Sequence, residues 1–366
     1  MFKNKNKIVL HMIAGLGNGG AERQLVELLK INRRHVLCIF THAGTYKTLL
    51  QQYNIKYYEL HINRPYFIFL KIITIVRIIK LTKAEVIHSW MYNACLISSI
   101  IKILFRIRIP LVWGIRCSNM IVKHYPFQLR IVIYLCKIFS KKSNLIIYNS
   151  FAGKKYHDKL GFFNLKSKVI QNGINNKKFY FSSKFRTSLR NKYNFKNKDL
   201  VILCVGRLDP MKNHQALIKA YENIRTKFKK LKLVLIGKDT ETIIGTPEVI
   251  KLGMKANIEK YYSMGDIIIL PSAFGEGFSN SLVEGMVSNL FPISTNVGDA
   301  RLIIDKTGLI IRQPSIVEIQ KTLVKVAGMK NKIIKIFAEK GSLRVKYKFN
   351  LENMSKKYMK IYREIK

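Results

Sequence analysis

Glu276 and Glu284 have the clearest chemical setting of any acids in a chain that holds only 21 Asp and Glu against 65 Lys and Arg. They stand in the stretch GDIIILPSAFGEGFSNSLVEGMVSNLFPISTNVG, residues 265–298. Ile267 to Leu270 form a short unbroken apolar run, the pattern of a parallel strand covered on both faces, and Pro271 and Ser272 end it. Gly275 and Gly277 bracket Glu276, so the backbone there can turn tightly and approach a ligand closely. Leu282, Val283, Met286 and Val287 then make one helical stripe, with Ser279 or Asn280 placed to cap it. Amides from Phe278 to Ser281, at the positive end of that helix, form an anion site suited to phosphate. The two carboxylates suit sugar hydroxyls, since a carboxylate accepts from two vicinal OH groups at once. A loop tip and a solvated helix residue are the plainer readings of each glutamate alone, and the weaker reading of the pair.

A second constellation is cationic. In LVILCVGRLDPMKNHQALIKAY a buried strand stops at Gly206, Arg207 and Lys212 fall in a turn containing Pro210, and Asn213 is placed to cap a helix with Ala216, Leu217 and Ala220 on its apolar side. Both cations therefore sit at the carboxyl end of a parallel strand, where open α/β sheets bind ligands. A unit charge pair at ~4 Å and an effective dielectric near 20 is worth about 4 kcal/mol gross. Two such cations can neutralise a bound phosphate group without a metal, and the sequence has no Asp-x-Asp pair for Mg²⁺ or Mn²⁺.

The run PSAFGEGFSNSLVEGM resembles the paired-glutamate segment of retaining GT-B glycosyltransferases of the family 4 type, the glycosyl transferases group 1. The resemblance implies that Glu276 faces the donor sugar, that the backbone of Phe278, Ser279 and Asn280 holds the diphosphate, and that Glu284 binds the nucleotide ribose. Arg207 and Lys212 match the donor cations of that family, which works without a metal. Gly19, Gly20, Ala21 and Glu22 reproduce its opening GGAE loop, implied to lie against the donor phosphates and the acceptor entrance. In AEVIHSWMYNACL a strand ends at His88, matching the first histidine of a His-x-His that contacts the donor sugar; Trp90 replaces the second. Arg116, at the carboxyl end of LVWGIRCSN, is placed for an acceptor phosphate, with a solvated arginine as the alternative.

The same resemblance implies an α/β GT-B fold, two Rossmann-like domains with parallel sheets facing a central cleft. Residues 1–167 form the acceptor-side domain, residues 168–350 the nucleotide-sugar domain, and 351–366 a helix crossing back to the first. Leu351, Met354, Tyr358, Ile361 and Tyr362 make the stripe of that helix. After KLVLIG only KDTETIIGTP precedes the next strand where relatives carry a helix, so UDP and GDP both stay open as the donor nucleotide. Asn289 stands where the family has Gly, and Asn tolerates the left-handed conformation.

The elements that must position these groups are those of two α/β domains, for which 366 residues suffice. Five scattered cysteines without CxxC or Cys/His spacing argue for a reducing cytoplasm and against structural zinc. The lysine-rich start leads into IVLHMIAG, a first strand and not a signal peptide. Gly15, Gly17 and Gly20 fit G-x-G-x-x-G, yet no acid follows the strand His35 to Phe40, so a nicotinamide oxidoreductase lacks its ribose ligand. The net charge of +44 raises a nucleic-acid-binding alternative, but it is spread along the chain without an RNA- or DNA-binding motif.

One regional bias exceeds that background. Val86 to His157 contains eleven Lys and Arg and no Asp or Glu. The apolar segments PYFIFLKIITIVRIIKL and LISSIIKILFRIRIP are interrupted by cations and offer no run long enough to span a bilayer. The expectation is a cytoplasmic enzyme, peripheral on an anionic membrane surface. It would move sugar from a UDP- or GDP-sugar to a saccharide acceptor, lipid-linked, in bacterial envelope polysaccharide or lipopolysaccharide assembly, with no cofactor, metal or nucleic-acid partner.

Overall fold

The computed structural model describes residues 6–17, 19–31, 34–62, 65–121, 124–162, 166–245 and 247–366. The chain divides into two compact units, one formed by the segment up to Gly173 together with Leu351–Lys366, the other by Ile174–Asn350. The first carries strands β1 (Val9–Ile13), β2 (His35–Ile39), β3 (Lys56–Glu59), β4 (Val86–Trp90), β5 (Leu111–Ile115), β6 (Leu145–Tyr148) and β7 (Ser167–Val169). They pair in the order β3-β2-β1-β4-β5-β6-β7, all parallel. The second carries β8 (Leu200–Val205), β9 (Leu231–Ile236), β10 (Val249–Lys251), β11 (Ile267–Leu270), β12 (Phe291–Thr295) and β13 (Leu309–Ile311). Their order is β10-β9-β8-β11-β12-β13, again all parallel.

Unbroken apolar runs produce this architecture because helices cover both faces of each sheet and leave no polar side. Around the first sheet one core gathers Leu10, Met12, Ile87 and Trp113, and the other Val9, Ile13, Leu37 and Trp90. Around the second sheet Leu203, Ile268 and Leu270 face one core, Cys204, Ile267 and Ile269 the other. Each sheet changes its direction of winding once, between β1 and β4 and between β8 and β11. Beyond the carboxyl ends at such a point the connecting helices diverge to opposite faces and leave a crevice.

Two expected boundaries shift. The sequence places the change of domain at residue 167, but Ser167–Val169 pairs with β6 as the edge strand of the first sheet. The Gln24 side chain then holds both the carbonyl and the amide of Gly173, at 2.9 and 3.1 Å. β4 does not end at His88 but runs on to Trp90, because Ser89 and Trp90 find register partners in Met12 and Ile13 of β1 and Trp113 and Gly114 of β5. The helix Leu351–Glu364 buries Met354, Tyr358, Ile361 and Tyr362 in the first unit's core. All five cysteines are free and buried. Among the described residues no helix is long and apolar enough to cross a membrane.

Candidate functional site

The turning point of the second sheet brings the two sequence constellations together. After β8, Asp209 caps a short 3-10 turn, Pro210–Lys212, by accepting from the Met211 amide at 2.9 Å. After β11, the loop through Glu276 starts one strand away. The two loops are stitched by the Ala273 amide donating to the Met211 carbonyl at 2.8 Å. Asn213 adds a second stitch and not the cap its position promised. Its φ is 56°, and its Nδ2 donates to the carbonyls of Pro271 and Pro314 at 3.1 and 3.0 Å.

On this frame Lys212 Nζ donates to Glu276 Oε1 at 2.5 Å, and Ser272 Oγ donates to the same oxygen at 2.9 Å. Both side chains are largely enclosed, at 14% and 8% exposure. The Lys212 stem lies against Gly206, where an added Cβ would come within 3.2 Å of its Cδ and Cε. The glutamate loop turns at Gly275, with φ 78°. Gly298, at φ 61°, backs it so closely that a Cβ would meet the carbonyl oxygens of Glu276 and Gly277. Arg207 is not gathered into this cluster. Its guanidinium turns to Asp209, with Nη2 at 2.8 Å and Nε at 3.1 Å from Oδ2, and stays half exposed.

Helix Asn280–Val287 follows, with Ser279 at the cap position and no side-chain cap bond; the Ser279 hydroxyl meets that of Ser281 at 3.3 Å. Phe278 anchors the loop by packing edge-on to Phe349, ring centres 5.1 Å apart. Glu284 is not a solvated helix residue. It is buried, and Oε2 accepts from Tyr262 Oη at 2.9 Å. A buried carboxylate is costly unless hydrogen-bonded, so Tyr262 fixes where Glu284 points. Tyr262, Ser272 and Asp209 escape a reading by motif. Asp209 alone left a signal, lying inside GRLDPMKN two residues from the arginine it holds. Asn289 adopts φ 62°, the turn anticipated for it.

The remaining candidates lie in the first unit. Gly19 occupies the cap position of helix Gly20–Leu29, with Glu22 in its first turn, and a Cβ on Gly19 would strike the Glu22 carboxylate. His88 sits in mid-strand without solvent exposure, its Nδ1 2.6 Å from Tyr362 Oη and its ring 4.7 Å from that of Trp90. The expected sugar contact from a strand end is therefore corrected: His11, Trp90, Tyr358 and Tyr362 surround the ring. Burial, and after it Arg116 and His35, holds its imidazole well below the ordinary histidine value. Arg116 is not solvated either. It is buried over the Trp90 ring at 4.7 Å and donates from Nη1 to Tyr358 Oη at 2.8 Å. Its Nε and Nη2 have no partner, and no acid pairs with it among the described residues.

Two doubly wound parallel units, with a lysine and a glutamate converging where the second sheet changes direction, constitute a GT-B fold. Residues 18–178 match the family described as Glycosyltransferase Family 4, and residues 199–328 that described as Glycosyl transferases group 1. The chain belongs to the group 1, family 4 glycosyltransferases and is an enzyme of the sugar-transferring type. It is 24% identical to a capsular polysaccharide biosynthesis glycosyltransferase of Staphylococcus aureus, over 97% of this chain and 98% of that one. A shorter match, 35% identical, joins 27% of this chain to 28% of a Campylobacter jejuni protein. That protein is named N-acetylgalactosamine-N,N'-diacetylbacillosaminyl-diphospho-undecaprenol 4-alpha-N-acetylgalactosaminyltransferase. Among solved structures, Anabaena HepE in complex with UDP and glucose superposes with a TM-score of 0.84, at 20% identity, covering 98% of this chain and all of that one.

Proposed function

We propose that the protein moves a sugar from a nucleotide-diphosphate sugar to a saccharide acceptor with retention of anomeric configuration. The observation that carries this reading is the enclosed Lys212–Glu276 pair beside a glycine-turned loop and a helix start. Without a donor each charge compensates the other. An incoming diphosphate competes for Lys212, which frees the Glu276 carboxylate to accept from hydroxyls of the sugar. Arg207, half exposed beside Asp209, is the second cation. The backbone of Phe278, Ser279 and Asn280 receives phosphate oxygens. As the glycosidic bond breaks, negative charge grows on the leaving diphosphate, and fixed cations and helix amides stabilise that charge without a metal. Glu284, aimed by Tyr262, holds the ribose.

UDP is the preferred nucleotide of this reading, supported by the complex of HepE with UDP. The first unit supplies the acceptor side, with Gly19 and Gly20 at its entrance, whereas Arg116 is enclosed beneath Tyr358 and holds that helix instead of meeting an acceptor phosphate. A lipid-linked saccharide, met at an anionic membrane surface in bacterial polysaccharide assembly, is the acceptor of this reading. The Campylobacter relative's name, with its diphospho-undecaprenol, and the Staphylococcus relative's capsular role support it.

A thermal-shift screen with UDP, GDP, ADP and their sugars tests the reading, because a ligand bound only to the native state raises the melting temperature. A rise with UDP or a UDP-sugar that Lys212→Ala abolishes is the expected result. No shift with any nucleotide sugar, together with a shift from NAD, would overturn it in favour of an oxidoreductase.

A further inference from the structure

Three helices, Ile72–Thr82, Met91–Leu104 and Phe127–Phe139, lie on one face of the first unit's sheet and share a core with it through Ile75, Tyr92, Ile97 and Cys136. Their outward sides depart from an ordinary surface helix, which sets polar groups opposite its apolar stripe. On the last helix Phe127, Ile131, Tyr134 and Ile138 form a continuous outer stripe, each between 45% and 67% exposed. Arg130 and Lys137 are exposed among them. On the first helix the outward positions are Ile73, Arg77, Lys80 and Leu81, and the turn leading into it exposes Phe69 and Leu70. Met91–Leu104 ends in exposed Leu104 and Phe105, followed by exposed Arg106 and Arg108. Across this whole region, from Leu60 to His157, Glu85 is the only acid, and its carboxylate accepts from the Ile8 amide at 2.8 Å.

We infer that this helix layer is the surface by which the protein binds an anionic phospholipid membrane, an inference that rests on the lipid-linked acceptor reading for its purpose. Large apolar side chains set among cations enter the boundary between headgroups and acyl chains, while the cations meet lipid phosphates. Contiguous exposed apolar surface of this kind marks an interaction site. A second copy of the chain is the poorer occupant, because self-pairing would press cations against cations with no carboxylate between them. The attachment is interfacial, since no helix among the described residues can span.

The second unit offers an internal control. Helix Asn331–Lys348 also exposes an apolar stripe, with Ile333, Ile336, Leu343 and Tyr347, but it includes the exposed Glu339. Co-sedimentation of the full chain with vesicles of phosphatidylcholine alone, or mixed with phosphatidylglycerol, decides between the surfaces. Binding to the acidic vesicles only, weakened by salt, is expected. Arg130→Ala with Lys137→Ala should lower it roughly twenty-five-fold, at about fivefold per charge removed. Ile131→Ser with Tyr134→Ser should lower it by at least about tenfold, and Leu343→Ser with Tyr347→Ser should leave it unchanged. An unchanged UDP-induced thermal shift in every variant shows that each is folded.

Equal binding to neutral vesicles, full binding by the helix-layer variants, or a dimer that those variants dissolve without any vesicle binding would each overturn the inference. Vesicle binding through this layer with no thermal shift from any nucleotide sugar would sustain the surface and remove the proposed donor site instead.

Discussion

Lys212 Nζ and Glu276 Oε1 lie 2.5 Å apart although 64 residues separate them in the chain. The pair exists because β8 and β11 are neighbours in the sheet and their loops are stitched by the Ala273 amide and the Asn213 side chain. Each charge thus waits beside its opposite in a largely enclosed place, where a lone charge would be costly.

Lys212→Ala should cut kcat/KM at least tenfold and lower stability by about 1–3 kcal/mol, because the enclosed Glu276 carboxylate keeps the Ser272 hydrogen bond but loses its counter-charge. In a double-mutant cycle with Glu276→Ala the losses should be non-additive by roughly 0.5–3 kcal/mol. Additive losses in turnover and in unfolding free energy would show that the two residues act independently.

Tyr262→Phe deletes only the hydroxyl that aims Glu284. Donor KM should rise several-fold with kcat nearly unchanged, while Glu284→Ala should lose at least tenfold in donor affinity. Stability should fall by about 1–3 kcal/mol in Tyr262→Phe. Steady-state kinetics with varied donor separates the two effects, and an unaltered KM in both variants would remove Glu284 from the donor site.

Gly298→Ala places a methyl group against the Glu276 and Gly277 carbonyls at a positive φ of 61°. Strain of about 1–3 kcal/mol is expected, and the loop must shift to relieve it. The UDP-induced thermal shift should shrink accordingly, whereas Gly328→Ala, at a helix end with ordinary space around it, should leave it intact.

Buried histidines should make the fold acid-sensitive. Burial lowers His35, His157 and His214 from 6.5 to about 4 and holds His11 and His88 well below 6.5. The unfolded chain binds more protons than the native one between pH 6.5 and about 4, so the stability these groups contribute is complete above 6.5 and falls as pH drops through that window. Each contributes a slope of up to about 1.4 kcal/mol per pH unit. Urea midpoints measured across that range should decline on acidification, and His35→Leu should flatten the decline by about one proton; a decline as steep in the variant would contradict the assignment.

Short-range constraints were legible in the sequence by itself. Unbroken apolar runs dictate parallel strands covered on both faces, as in Ile267–Leu270. Gly275 and Asn289 announce positive-φ turns, and the cations after β8 and the glutamates after β11 announce ligand chemistry at strand ends. What only the tertiary structure decided is which of those groups meet. Strand order sets Glu276 against Lys212 and leaves Arg207 to Asp209. Helix Leu351–Glu364, brought back from the end of the chain, seals His88 and Arg116 beneath Tyr358 and Tyr362. The physical reason is range: turn chemistry and hydrophobic period act over a few residues, whereas burial and pairing depend on partners whose separation in sequence carries no signal of their closeness in space.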